Sequence, residues 1–298
     1  MKLLIIFNPN AAYGRSVKKL EDIKSRLDSV GIQARYIPTE YQGHGNELVA
    51  NTDLSTFDGV IAAGGDGTVF EVLNGLYTHP KPARIPLGLI PIGTGNAFAR
   101  ELDLQPGAWS EAIDLLRQGH TRQIDVAHVD SADQSYYFLN IVGMGFFVEA
   151  GLSAQKLKFL GNTAYTLATL WKVLRLKSYP LEMEIDGEFL RRDNILVAIS
   201  NSCYTGTHFL IAPDALTDDG LLDVTILEKL PRRRLLKLFP TIYSGKHVLY
   251  DEISTHKAAH IKIHAPGSML LGPDGEFRGH SPAEITCLHR NLTIFSQR

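Results

Sequence analysis

Short, purely apolar runs alternate with stretches of helical spacing through the first 120 or so residues. Leu3–Phe7, Ile32–Ile37, Val60–Ala63 and Pro86–Ile92 are too short for helices and read as strands, those of unbroken apolar character as strands buried on both faces. Between them, Val17, Leu20, Ile23, Leu27 and Val30 recur at helical spacing, with Ser16 as the expected cap and Gly31 as the stop. A short helix around Leu48 and Val49, a helical face of Val69, Leu73 and Leu76, a helical stretch over Ala97–Leu102, and a helix over Trp109–Gln118 with Ala112, Leu115 and Leu116 inward complete the series. The order βαβαβαβα predicts a doubly wound parallel sheet with helices on its faces.

Near Arg122 the pattern changes. Ile124–Val129 and Tyr136–Val142 alternate around a polar turn, and strands are predicted at Leu181–Ile185, Ile195–Ser200, Leu222–Ile226, Ala259–His264, Glu284–Leu288 and Leu292–Phe295. Asp186-Gly187 is a type I′ hairpin signal. This half reads as an antiparallel β-sandwich or barrel. The expected division is an α/β domain over 1–123, to which the last few residues may return, and a β-rich domain over 124–298. Two helical segments interrupt the strands. One runs from about Leu152 to Leu176 and mixes Lys156, Lys158, Lys172 and Arg175 with Leu157, Phe159 and Trp171; the other, Pro231–Ser244, starts with Arg232, Arg233 and Arg234. Each reads either as a packing helix with solvated charges or as a basic amphipathic surface for anionic lipid.

The length of 298 residues suits two domains, and 44% hydrophobic with 21% charged residues is an ordinary globular composition. A net charge of −2 gives no reason to expect a nucleic-acid partner. Cys203 and Cys287 form no metal spacing or disulfide framework, so a reducing, cytoplasmic setting is expected. The opening apolar run is too short for a signal peptide and is broken by Asn8-Pro9-Asn10. No run reaches the length of a membrane span, so membrane association is expected to be peripheral. A homodimer stays open.

The chemistry concentrates in loops. Gly64-Gly65-Asp66-Gly67-Thr68 lies between a strand and a helix, where free amides and the helix dipole suit phosphate. Asp66 there calls for a cation or a bound hydroxyl, and reads as a metal-linked or proton-handling group. Gly93-Thr94-Gly95-Asn96 repeats the strand–glycine-turn–helix order, so two loops can converge on one crevice. Asn8, Asn10 and Thr39 fall at strand ends, where open α/β sheets place ligands. Arg15 reads equally as a phosphate contact or a solvated cation. In the β half, Asp214 and Asp218-Asp219-Gly220-Leu221-Leu222-Asp223 offer hard oxygens for a cation such as Mg²⁺, or form a plain acidic turn. Pro273-Asp274-Gly275-Glu276 is a turn that sets a carboxylate at a strand end, where it can accept a proton from a hydroxyl.

In their order, Asn8-Pro9, the Gly64–Thr68 loop, Gly93-Thr94-Gly95-Asn96, Asp219-Gly220-Leu221-Leu222-Asp223 and Asp274-Gly275-Glu276 make the chain resemble the diacylglycerol kinase catalytic-domain family of lipid kinases over essentially its whole length. The glycine-aspartate motif alone is shared with NAD kinases. The resemblance implies an ATP site in a cleft between the two domains, formed by Asn8, Thr39, Gly64, Gly65, Asp66, Gly67, Thr68 and Thr94. It implies Glu276 as general base, Asp66 placing the catalytic Mg²⁺ and the phosphates, and a structural Mg²⁺ on the side chain of Asp219 and the carbonyls of Leu216 and Leu221. The expected reaction is transfer of the γ-phosphate of ATP to the hydroxyl of a lipid such as diacylglycerol. The alternatives are an NAD kinase-like phosphotransferase and a non-catalytic nucleotide sensor. Phe70 stands where bacterial members usually carry Asn, and Arg15 where a Lys is frequent.

Overall fold

The computed structural model describes residues 1–81, 85–105, 107–156, 176–206, 208–264 and 267–297. These form two compact units, one of residues 1–126 with 289–298 and one of 127–288.

The first unit opens with β1 (Lys2–Phe7), α1 (Leu20–Ser29), β2 (Gln33–Pro38), α2 (His44–Asn51), β3 (Gly59–Gly64), α3 (Asp66–Thr78), β4 (Leu87–Pro91) and α4 (Trp109–Gln118). The four strands pair in parallel in the order β4-β3-β1-β2. β3 and β4 are buried along their whole length, and β1 from Leu3 onward, which is why their sequences are unbroken apolar runs. α4 buries Ala112, Leu115 and Leu116, as its periodicity predicts. The chain leaves β1 toward β2 on one side and leaves β3 toward β4 on the other. The carboxyl ends of β1 and β3 therefore flank the topological switch point, the usual ligand position in open α/β sheets.

Two local expectations are corrected, and a third is refined. Ser16 caps no helix: its hydroxyl donates back to the carbonyls of Asn8 (2.9 Å) and Pro9 (2.8 Å), tying down the loop after β1. Residues 15–19 are a 3₁₀ turn, which rotates Val17 outward to 52% exposure. The stretch after the second glycine turn is likewise a 3₁₀ helix, Phe98–Leu102.

The second unit is antiparallel. After β5 (Thr121–Ser131) come β6 (Ser135–Phe138), β7 (Ile141–Gly145), α5 (Phe146–Lys156), β8 (Tyr179–Ile185), β9 (Glu188–Ser200), the small hairpin β10 (Tyr204–Thr205) and β11 (Phe209–Leu210), and β12 (Leu222–Glu228). α6 (Arg232–Leu238), β13 (Ile253–Ala258), β14 (His260–Ile263), β15 (Gly272–Pro273) and β16 (Ala283–Phe295) follow. The order β13-β12-β9-β8-β14-β16 defines the main layer, with β7 also on β9. Asp186 and Gly187 both have positive φ (46° and 90°), as a type I′ turn requires, and join β8 to β9. The two expected terminal strands are one continuous β16. Pro231–Ser244 divides into α6 and a 3₁₀ turn, Phe239–Ser244, at Pro240. The basic stretch around Lys158, Lys172 and Arg175 lies outside the described residues.

The expected strand Tyr136–Val142 is split in two, and the cause lies far along the chain. The carboxylate of Asp274 accepts the amide N–H groups of Leu139 (3.0 Å), Asn140 (2.9 Å) and Ile141 (2.9 Å). Burial nonetheless pushes the Asp274 carboxyl up to about 6, against the pull of those donors. An acid whose pKa is raised on folding holds its proton longer in the native chain than in the unfolded one. Its contribution to stability is therefore greatest below the unfolded value of 3.8 and falls as pH rises to about 6. Urea denaturation of the wild type and of Asp274→Asn, which cannot titrate, should show the wild type's advantage shrinking by about 2–3 kcal/mol across that window; an advantage that grows with pH contradicts the assignment.

Candidate active site

In the first unit the glycine loop starts where β3 ends. Gly65 is the residue before α3 and Asp66 the first within it, so the Asp66 carboxylate sits at the positive end of that helix. Asp66 Oδ1 also accepts the amide N–H of Phe98 at 3.4 Å. The second loop packs directly on the first. The N–H groups of Ile92 and Gly93 donate to the Gly64 carbonyl at 3.0 and 2.9 Å. A Cβ on Gly93 would lie 2.3 Å from the Gly65 Cα, and one on Gly64 would lie 2.1 Å from Thr68 Oγ1. No side chain fits at either place, which is the physical reason both positions are glycine.

Asn8 closes the group from β1. Its Nδ2 donates to Thr68 Oγ1 at 3.1 Å, its Oδ1 accepts from the Asn10 amide at 2.9 Å, and its own amide donates to the Ala63 carbonyl at 2.9 Å. Asn8, Gly64, Gly65, Asp66 and Thr68 are thus one cluster at the switch point. Thr39 is buried, with its amide on the Phe7 carbonyl at 2.8 Å. Thr94 is exposed on the second loop, one residue beyond the glycine contact. Glu71 serves another purpose: its two carboxylate oxygens accept the amides of Gly43 (2.7 Å) and Gly45 (2.9 Å), fixing the loop before α2. Phe70 is buried in the core. Arg15 is exposed, and its Nε donates to the Ala12 carbonyl at 2.9 Å.

Some features here had little sequence signal. Ala12, Tyr13 and Gly14 are consecutive left-handed residues, with φ of 50°, 60° and 77°, in the loop after Asn8. Two non-glycine residues held there mark strain of the kind that gathers at ligand loops. Asn96 is also left-handed at 51° and closes the second loop through Nδ2 to the Gly93 carbonyl, 2.9 Å away.

In the second unit Glu276 is half-buried on the turn that Asp274 anchors, and its amide donates to the Pro273 carbonyl at 2.7 Å. Around that anchor Asn201 donates from its amide to the Asn140 carbonyl (2.8 Å) and from Nδ2 to the Leu139 carbonyl (3.0 Å). Ser202 Oγ donates to Asn140 Oδ1 at 3.0 Å. Asn140, Asn201, Ser202 and Asp274 are all buried and were not legible as a group, because they come from three separated loops.

The acidic turn has a resident cation of its own. Asp219 Oδ1 accepts the Leu221 amide at 3.0 Å, while its Oδ2 lies 3.2 Å from Lys257 Nζ. The same ammonium is 3.3 Å from Asp223 Oδ2 and donates to the Asp214 carbonyl at 3.1 Å. Asp223 and Lys257 are direct cross-strand neighbours on β12 and β13. Asp223 Oδ2 is buried with no well-directed hydrogen bond, and desolvation holds that carboxyl above its ordinary range. Among the described residues no three His, Cys, Asp or Glu side chains converge as a metal cluster. The donors fit a hard cation in type, with carboxylate and peptide oxygens side by side, but Lys257 already shares them.

Residues 2–129 match the diacylglycerol kinase catalytic domain, and residues 140–296 match the YegS C-terminal NAD kinase beta sandwich-like domain. A diacylglycerol kinase of Bacillus subtilis (strain 168) is 32% identical over 97% of this chain and 94% of its own length. The chain belongs to the diacylglycerol kinase family. A diacylglycerol kinase of Mycobacterium tuberculosis (strain ATCC 25618 / H37Rv) is also 32% identical, over 100% of this chain and 96% of its own. A crystal structure from Bacillus anthracis str. Sterne superposes with a TM-score of 0.82 at 30% identity, covering 99% of this chain and 95% of that one. Another, of a diacylglycerol kinase from the same strain, gives 0.74 at 25% identity, covering 99% and 97%. Membership makes the chain a phosphotransferase with an alcohol acceptor, and the kinase family implies use of ATP.

Gly93→Ala forces the two glycine loops apart at the backbone. It should cost about 1–3 kcal/mol of stability and weaken ATP binding at least tenfold, read by denaturation and by calorimetric titration; unchanged ATP affinity in a folded variant would show that loop contact to be irrelevant to the nucleotide. Lys257→Met removes the internal cation, so Mg²⁺ should raise the melting temperature of that variant more than that of the wild type. An equal response would place Mg²⁺ elsewhere.

Proposed function

We propose that this chain transfers the γ-phosphate of ATP to the hydroxyl of a lipid such as diacylglycerol. One observation carries the lipid half of that reading. The second unit holds an apolar cavity of about 90 Å³, open to solvent on one side, with Phe146, Leu196, Phe209, Leu227, Leu238 and Ile242 among its lining. Its walls are almost wholly hydrocarbon, which suits the end of an acyl chain and not a nicotinamide dinucleotide. His247 is the main polar group in the wall. It is buried, its Nε2 lies 3.0 Å from the Ile211 carbonyl, and burial depresses its pKa, so it is neutral with the proton on Nε2.

In this reading the amides of the Gly64–Thr68 loop and the start of α3 hold the phosphates, with Asn8, Thr39 and Thr94 completing the nucleotide site. Asp66 would hold Mg²⁺ together with the nucleotide, and Asp219 with the carbonyls of Leu216 and Leu221 would hold a structural Mg²⁺. When bound, the ion supplies neutralisation of phosphate charge. Glu276 takes the proton from the attacking lipid hydroxyl as the oxygen–phosphorus bond forms and ADP departs. The Asp274 clamp fixes the turn from which Glu276 acts.

Labelled ATP with Mg²⁺ and mixed micelles of diacylglycerol, monoacylglycerol, a sphingoid base and phosphatidylglycerol, with NAD as control acceptor, tests this. Label should enter a lipid, and Glu276→Gln should lower that rate by about 10²–10⁴-fold at unchanged ATP affinity. Label on NAD, or full transfer by the Gln variant, would overturn the assignment.

A further inference from the structure

Residues 229–250 contain six Lys or Arg residues and no Asp or Glu, in a chain whose net charge is −2. The segment comprises α6 and two 3₁₀ turns, Phe239–Ser244 and Lys246–Leu249. It has two distinct faces. Leu235, Leu238, Phe239, Ile242 and His247 point inward and line the apolar cavity. Outward, Leu236, Tyr243 and Leu249 are exposed by 43%, 49% and 78%. Among these apolar tips stand the exposed cations Arg232, Arg233, Lys237 and Lys246.

The charges on the segment are not all alike. Arg234 is engaged in a two-pronged pair with Glu252, at 2.6 and 3.1 Å, and stacks over the Tyr250 ring. Lys229 lies 4.0 Å from Asp193. Arg232, Arg233, Lys237 and Lys246 have no ion pair among the described residues. Asp251 is exposed just beyond the segment, and Glu252 is committed to Arg234. Arg232 and Arg233 also sit at the start of α6, where the helix dipole disfavours positive charge. An external anionic surface would relieve that repulsion.

We propose that the outer face of residues 231–249 docks on an anionic lipid bilayer. Charge complementarity selects the bilayer as occupant: unpaired cations interleaved with exposed Leu and Tyr match phosphate headgroups and the hydrocarbon just beneath them. The inner face of the same segment walls the cavity assigned to an acyl chain, so docking would set that cavity at the membrane interface. Only this last consequence rests on the lipid kinase reading; the docking itself needs no catalysis.

The test is flotation of the full chain, without ATP, with phosphatidylcholine vesicles and with vesicles that also contain phosphatidylglycerol. Binding should require phosphatidylglycerol and weaken with salt. Replacing Arg232, Arg233 and Lys237 by Gln should reduce partition on the order of a hundredfold. Leu249→Ser, at a position already in solvent, should weaken binding several-fold with an unchanged melting temperature. Transfer to a short-chain, water-soluble acceptor should be unaffected in both variants. Absence of vesicle binding, equal binding to neutral vesicles, undiminished binding by both variants, or tighter binding to an oligonucleotide than to vesicles would each overturn the proposal. Vesicle binding without transfer to any lipid would leave the docking surface standing and remove the kinase reading instead.

Discussion

The second unit depends on one buried carboxylate. Asp274 occupies a left-handed turn, φ 46°, and gathers three consecutive amides of the 139–141 segment onto its two oxygens. A carboxylate is the group suited to this task, since it offers acceptor sites for several donors and presents no hydrogen that must itself be satisfied. The return contact, from the Asp274 amide to the Ile141 carbonyl at 2.9 Å, locks the turn from the other side. Because Asn140 and Leu139 also receive Asn201 and Ser202, the clamp ties three loops into one polar node. Loosening one of its bonds exposes buried donors, and unpaired buried donors cost more than the bond itself contributes. Glu276 lies two residues from this anchor, so its position is inherited from the most constrained part of the unit.

The first unit solves its problem with space instead of charge. A side chain on Gly64 would collide with Thr68, and one on Gly93 with the backbone of Gly65. That contact brings the ends of β3 and β4 together, and the Asn8–Thr68 bond adds the end of β1. The start of α3 lies at this junction, with Asp66 as its first residue. A carboxylate there is stabilised by the dipole in the absence of ligand and needs a cation once phosphate arrives.

The parts of this fold that could be read from the sequence are those decided locally. β1, β3 and β4 are buried on both faces, so their apolar runs admit little else, and α4 shows its inner face in Ala112, Leu115 and Leu116. Gly64 and Gly93 announce themselves because close approach allows no substitute there. What escaped detection depends on partners remote in sequence. The break between Tyr136 and Val142 is imposed by a residue 134 positions away from Asn140. Lys257 meets Asp219 and Asp223 only because β12 and β13 pair in that register. Ser16 looks like a cap by type, but the chain entering it from Pro9 offers carbonyls nearer to its hydroxyl than any helix amide. The cavity is invisible for the same reason, since its walls come from α5, β9, β12 and α6 together.

Residues 231–249 show why a periodicity reading could not choose between a packing helix and a solvent-facing basic surface: the segment has a buried apolar face and an exposed basic one. Pro240 ends α6 after two turns and passes the chain into a 3₁₀ turn, which keeps Leu238, Phe239 and Ile242 inward while Tyr243 projects outward. The aromatic group Phe209, Phe239 and Tyr243 crosses from one face to the other, with ring centroids 5.1–6.2 Å apart. Packing against the cavity fixes the segment from inside, so its basic outer face needs no partner within the chain. A helix that walls an apolar cavity on one side and faces outward on the other can carry apolar residues all round and cations on the outer side only, and α6 with its following turns has that composition.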